Sequence, residues 1–164
     1  KENALSCWKG PLGTPQDFSV EDTTVEIKST ESASKQEIRI SNAEQLSTSA
    51  EKGFLWVMGV SSGTRESERT ISLQSLIADL MSVFENILGA VEMFQSMLDI
   101  VGYSAESQES TRPYQILNCT FYELREGFPR ITPSMLPQGI ESVQYTINLN
   151  ICDSFIQSPS WIQQ

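Results

Sequence analysis

The sequence predicts an α/β domain with a mixed central sheet flanked by helices. Three observations carry that prediction. Apolar and polar residues alternate with period two in Thr24-Val25-Glu26-Ile27-Lys28 and again in Glu37-Ile38-Arg39-Ile40. Apolar residues recur at three- and four-residue steps between positions 73 and 101. Alternation then returns in Ser142-Val143-Gln144-Tyr145-Thr146-Ile147-Asn148-Leu149-Asn150-Ile151. At 164 residues, 39% hydrophobic, the chain fits one folded domain.

The chain opens on Lys1 rather than Met, in what reads as the end of a helix, so it is expected to be the C-terminal part of a longer protein. Strands follow at 17–20, 23–29 and 37–40. Ser41 and Glu44 have capping-box spacing and predict a short helix. The run Phe54-Leu55-Trp56-Val57-Met58 reads as a buried strand, which makes the order β-β-β-α-β up to residue 60. Residues 61–69 are polar and contain Gly63, hence an exposed loop. Ser72 caps a helix with Leu73, Leu76, Ile77, Leu80, Met81 and Phe84 on one face. Gly89 separates it from a second helix bearing Val91, Phe94, Met97, Leu98 and Val101, which Gly102 ends. Two C-terminal strands cover 115–124 and 142–151, and Pro129, Pro133 and Pro137 punctuate the loop between them. A core at 1–63, a helical segment at 70–102 and strands over 114–152 thus make up a single domain over 1–164.

Composition removes several chemistries. With no histidine there is no Ser-His-Asp or Cys-His set and no histidine-bound zinc or haem. Cys7, Cys119 and Cys152 cannot close a four-thiolate site. Their odd number and wide spacing suit buried, reduced thiols and a cytoplasmic location. No membrane role is expected, because the apolar region between 76 and 101 is broken by Asp79, Glu85, Asn86, Glu92, Gln95 and Asp99. A net charge of -10 opposes a surface that is basic throughout, so any polyanion must meet a locally neutralised site.

A two-residue turn at Glu21-Asp22 sets the pairing of the first two strands. Phe18 then faces Val25, Ser19 faces Thr24 and Asp17 falls opposite Glu26. Phe18, Val20, Val25 and Ile27 share one face, expected to be buried, and the other carries Asp17, Ser19, Thr24, Glu26 and Lys28. Opposed carboxylates repel unless a cation intervenes. Oxygen ligands favour Mg²⁺ or Mn²⁺, with the Ile27 backbone carbonyl as a third protein oxygen between Asp17 and Glu26. Such an ion activates water toward a phosphodiester while Lys28 orients the water or steadies the charge. The plain reading of Glu-x-Lys on a strand is a solvated face. Lys35, Arg39, Arg65 and Arg69 suit phosphate contacts or simple solubility. The helical stripe reads as core, with a remaining apolar face suited to a second subunit. Trp8 and Trp56 read as packing residues, and Trp161 as either an exposed contact or a lid on the sheet.

Pro15-Gln16-Asp17-Phe18, Val25-Glu26-Ile27-Lys28-Ser29-Thr30, Ile38-Arg39-Ile40-Ser41 and Gln45-Leu46 together resemble the PD-(D/E)xK nuclease superfamily. More narrowly, Trp8-Lys9-Gly10-Pro11 upstream, with Phe128-Pro129-Arg130 and the stretch from Gly139 to Tyr145, resembles a bacterial family described only as PD-(D/E)xK members. The resemblance implies a restriction-endonuclease-like core extended by helices and the two C-terminal strands. It implies catalytic roles for Asp17, Glu26, Lys28 and Gln45, with Asp17 and Glu26 as metal ligands. It also implies DNA as substrate and protein partners in a restriction or phage-defence complex, while the leftover apolar helical face would suit a homodimer. Two departures stand out: the acidic helix that usually precedes this region would lie before Lys1, with Glu2 a weak substitute, and Ser49 stands where an exonuclease-type motif has tyrosine. The function expected is a metal-dependent DNA endonuclease. The competing expectation is an inactive nuclease-fold module that serves assembly, which Lys28 pointing away or a loop over the carboxylates would favour.

Overall fold

The computed structural model describes residues 2–31, 36–63 and 70–158. Lys35, Arg65, Arg69, Trp161 and the side chain of Glu2 lie outside them, as does most of the loop expected at 61–69. A helix α1 (Glu2–Cys7) leads through a 3-10 turn at Gly10–Leu12 into the strands β1 (Phe18–Val20), β2 (Thr23–Thr30), β3 (Glu37–Ile40) and β4 (Lys52–Ser62). A short strand β5 (Thr70–Ser72), which the sequence reading did not anticipate, precedes helices α2 (Leu73–Phe84), α3 (Ala90–Ile100) and α4 (Gln108–Thr111). Strands β6 (Pro113–Glu123), β7 (Tyr145–Asn148) and β8 (Ile156–Gln157) complete the fold.

The central sheet is mixed and ordered β1-β2-β4-β6-β5, with β8 also on β6. Only β2 and β4 run parallel; the other pairs are antiparallel. This α/β arrangement, with its extra strands, is consistent with a restriction-endonuclease-like fold. β3 leaves the central sheet and pairs with β7 in a separate two-stranded sheet. The pattern of each strand accounts for this. Ile38 and Ile40 are buried while Glu37 and Arg39 are exposed, so β3 has one apolar face to cover. In β4, consecutive residues Phe54 and Leu55 are both buried, which requires a central place with cover on both faces.

The larger core covers the Leu55–Val57 face of β4. Ile38 and Ile40 of β3 and Ile147 of β7 join Leu46, Leu55, Val57, Tyr122, Leu124, Phe128, Leu149 and Cys152 in the larger core. The helices form a second core from Leu5, Ile77, Phe84, Ala90, Phe94 and Leu98, with Trp8 packed against it. α2 starts where Ser72 predicts: its Oγ accepts from the Ser75 N–H at 3.0 Å, and Ser75 Oγ accepts from the Ser72 N–H at 3.0 Å. Gly89 and Gly102 take φ of 74° and 71°, left-handed turns that separate α2 from α3 and end α3. Among the described residues no helix is long and apolar enough to cross a membrane.

Three expectations are corrected. Residues 41–50 form bends and a turn rather than a helix; Gln45 Oε1 accepts the Ser41 N–H at 2.8 Å and Asn42 Oδ1 accepts the Gln45 N–H at 3.0 Å. Those two bonds would also suit a helix start, but Gln16 and Arg130 take the carbonyls of Glu44, Ser47 and Leu46 that a continuing helix would use. Of the three free cysteines only Cys152 is buried; Cys7 is half-buried and Cys119 is exposed. The apolar face of the hairpin is covered unevenly: Val25 is buried, whereas Val20 at the turn is 38% exposed.

If β3 anchors the second sheet to the larger core, Ile40→Ala should lower the unfolding free energy by about 2–5 kcal/mol, read from urea midpoints. Val20→Ala should change it by less than about 0.5 kcal/mol. Equal small effects would mean that the two-stranded sheet is not part of the cooperative core.

Candidate functional site

The predicted hairpin register is the one observed: Phe18 pairs with Val25, Ser19 with Thr24 and Val20 with Thr23. Continued by one residue, it carries Asp17 to the position opposite Glu26. The ladder does not reach the next pair. Instead Asp17 Oδ2 accepts the Ile27 N–H at 2.8 Å, so a side chain takes the place of a departing strand. In a strand the N–H and C=O of one residue project to the same edge. The Ile27 carbonyl therefore faces the edge where Asp17 sits.

Alternation places Thr24, Glu26, Lys28 and Thr30 on one face of β2. On the neighbouring β4, Leu55 lies beside Glu26 and Val57 beside Lys28. Leu55 and Val57 belong to the larger core. The acidic face is thus continuous with that core, which explains why Glu26 is only 2% exposed. The Lys28 side chain, 17% exposed, reaches back along the strand, and its Nζ lies 2.7 Å from Glu26 Oε1. Glu26 Oε2 is buried and has no hydrogen-bond partner. Asp17 is half-buried.

These surroundings set the protonation of Glu26. Desolvation disfavours its charged form and Lys28 opposes that effect, while the negative charge of Asp17 adds to the rise; together they push the carboxyl from 4.5 up to about 7. Glu26 Oε2, the Asp17 carboxylate and the Ile27 carbonyl are the oxygens that this end of the hairpin offers a cation. Among the described residues no three acidic or cysteine side chains gather as a metal site. These oxygens are donors that could hold a hard ion that retains waters, such as Mg²⁺ or Mn²⁺.

Gln45 is held differently. Its Oε1 is engaged by its own turn, and the turn is tied to the site by Gln16. Gln16 Nε2 donates to the carbonyls of Glu44 and Ser47, both at 2.7 Å. Arg130 Nη1 donates to the Leu46 carbonyl at 2.8 Å on the same turn. In the sequence reading Gln16 and Arg130 stand only within the motifs that carry the resemblance, and neither has a role of its own. Their signal was position alone: one precedes Asp17, and the other follows Phe128-Pro129. Arg39 is bonded to Gln144, so its guanidinium is not solely a solvated charge.

The family model described as "Putative PD-(D/E)XK family member, (DUF4420)" matches residues 1–150. No curated protein and no solved structure matches the chain.

The raised Glu26 predicts a pH signature. Between about pH 4.5 and 7 the folded chain holds a proton that the unfolded chain releases, so stability from this group is full below 4.5 and is lost as pH rises through 7. With chelator present, the urea midpoint of the wild type should fall across that window relative to Glu26→Gln, which cannot titrate. A constant difference between the two would show that Glu26 ionises as an ordinary carboxylate.

Proposed function

We propose that this chain, which belongs to the PD-(D/E)XK family so described, is a metal-dependent DNA endonuclease acting through Asp17, Glu26 and Lys28. The observation that supports the reading is the Lys28–Glu26 ion pair at 2.7 Å with Asp17 bonded to the intervening Ile27 N–H and Glu26 Oε2 buried without a donor. Asp17, Glu26 and the Ile27 carbonyl would hold Mg²⁺ or Mn²⁺. When bound, such an ion acidifies water and polarises a phosphodiester oxygen. The chain's own groups do the rest. Lys28 keeps a positive charge beside the carboxylates, where it favours the ionised form of Glu26 and steadies negative charge gathering on phosphate. Asp17, fixed by the Ile27 N–H, is already oriented before substrate arrives. Gln45, through the Ser41 N–H, shapes the turn that Gln16 holds beside Asp17, and in this reading it supports the site. A bacterial restriction or defence system, with partner proteins in the cytoplasm, is the setting that best suits the chemistry. Partners also answer the charge problem, since DNA must approach a chain of net charge -10.

The second reading, an inactive nuclease-fold module used for assembly, draws on the burial of Glu26 and on the turn held beside the site by Gln16. One assay separates them. Supercoiled DNA with Mg²⁺ or Mn²⁺ should be nicked by the wild type, and Asp17→Ala and Lys28→Ala should each slow nicking by about 10²-fold or more. Nicking at the wild-type rate in both variants would remove the assignment. No nicking by the wild type, with folding intact, would favour the assembly module.

A further inference from the structure

We infer that the Trp8-Lys9-Gly10-Pro11 turn is a positioning device for Asp17, and that glycine stands at position 10 because the aspartate carboxylate fills the space a side chain would need. The backbone grips first. The Asp17 carbonyl accepts two hydrogen bonds from this turn, from the Lys9 N–H at 2.7 Å and the Gly10 N–H at 3.0 Å. Trp8 forms an antiparallel bridge with Phe18, and its ring packs on Phe94 of α3 with centroids 6.0 Å apart, so the turn is anchored to the helical layer.

The glycine supplies the rest. Gly13 takes φ of 72°, a conformation that favours glycine, but Gly10 is not in that region, so backbone freedom does not explain it. Space does. A Cβ on Gly10 would lie 3.0 Å from Asp17 Oδ1 and 3.6 Å from Trp8 Nε1. Because Oδ2 is committed to the Ile27 N–H, the carboxylate cannot give way without loosening that bond. Asp17 is therefore held at its carbonyl by the turn and at Oδ2 by β2, while Oδ1 lies where a Cβ on Gly10 would crowd it. Gly10 touches no reacting atom; it acts through Asp17. The placement stands on geometry alone, while its consequence for a cation rests on the reading proposed above.

The test is Gly10→Ala in the full chain with three readouts. Without divalent ions, amide hydrogen exchange at Ile27 should become about tenfold faster. Mn²⁺ titrated into the variant should bind about tenfold more weakly, the scale expected when a support behind a ligand is disturbed. In an Asp17→Ala background, where the opposing carboxylate is gone, Gly10→Ala should leave Tm unchanged. Unaltered Ile27 exchange, or an equal loss of Tm in both backgrounds, would overturn the inference. If Gly10→Ala alone does not fold, folding of the double variant supports the inference and failure of both overturns it. A wild type that takes up no Mn²⁺ would sink the metal reading, and the exchange comparison would still decide the role of Gly10.

Discussion

The site depends on one costly placement: a carboxylate beside Leu55, on the face of the sheet that carries the larger core. Water is withdrawn from Glu26 and only one of its oxygens is compensated, by Lys28 two residues along the same strand. Period two is what makes this possible, since residues at i and i+2 share a face and an extended lysine can fold back over its neighbour. The cost is seen in the raised protonation of Glu26, which sits near neutrality instead of in the usual carboxylate range. A buried pair of this kind is weak evidence for stability, because apolar residues of similar shape would serve the core as well. It is better understood as a polar group that the core tolerates, with an oxygen left over for something else.

The register of the hairpin was legible because only one alignment separates Phe18 and Val25 from Asp17 and Glu26. The two long helices were legible for the same kind of reason: Ser72, Gly89 and Gly102 mark their ends by chemistry that acts within a few residues. Trp8 and Trp56 also pack as expected, Trp8 on Phe94 and Trp56 stacked on Phe121 at 4.7 Å.

The rest was set by contacts distant in sequence. Nothing local in Glu37-Ile38-Arg39-Ile40 says that its partner is β7, more than a hundred residues away, and not β2. β5 is three residues long and exists because β6 offers it an edge. At Ser41 the local signal was real but ambiguous, since the same side chains can cap a helix or close a turn, and Gln16 and Arg130 bind carbonyls that the turn presents. The burial of Glu26 was missed because the hairpin alone suggested a polar face open to water. That face became interior only when the two-stranded sheet packed against β4, an event that alternation within β2 cannot report.

The same geometry bears on how the site would work in the reading proposed here. The Lys28 ammonium is the counter-charge to Glu26, so the cation proposed to meet phosphate has an internal partner. Asp17 and Glu26 would be the residues to hold a divalent ion, whose charge would favour the ionised form of Glu26 and so leave the Lys28 ammonium available to phosphate. The positive charge then gained is local and does not require the surface as a whole to be basic. A chain of net charge -10 can thus present a neutralised or positive point to a polyanion while remaining repulsive elsewhere, and contact away from that point is disfavoured. The buried glutamate, the bent-back lysine and the acidic surface are on this view parts of one electrostatic arrangement, with Lys28 supplying its positive point.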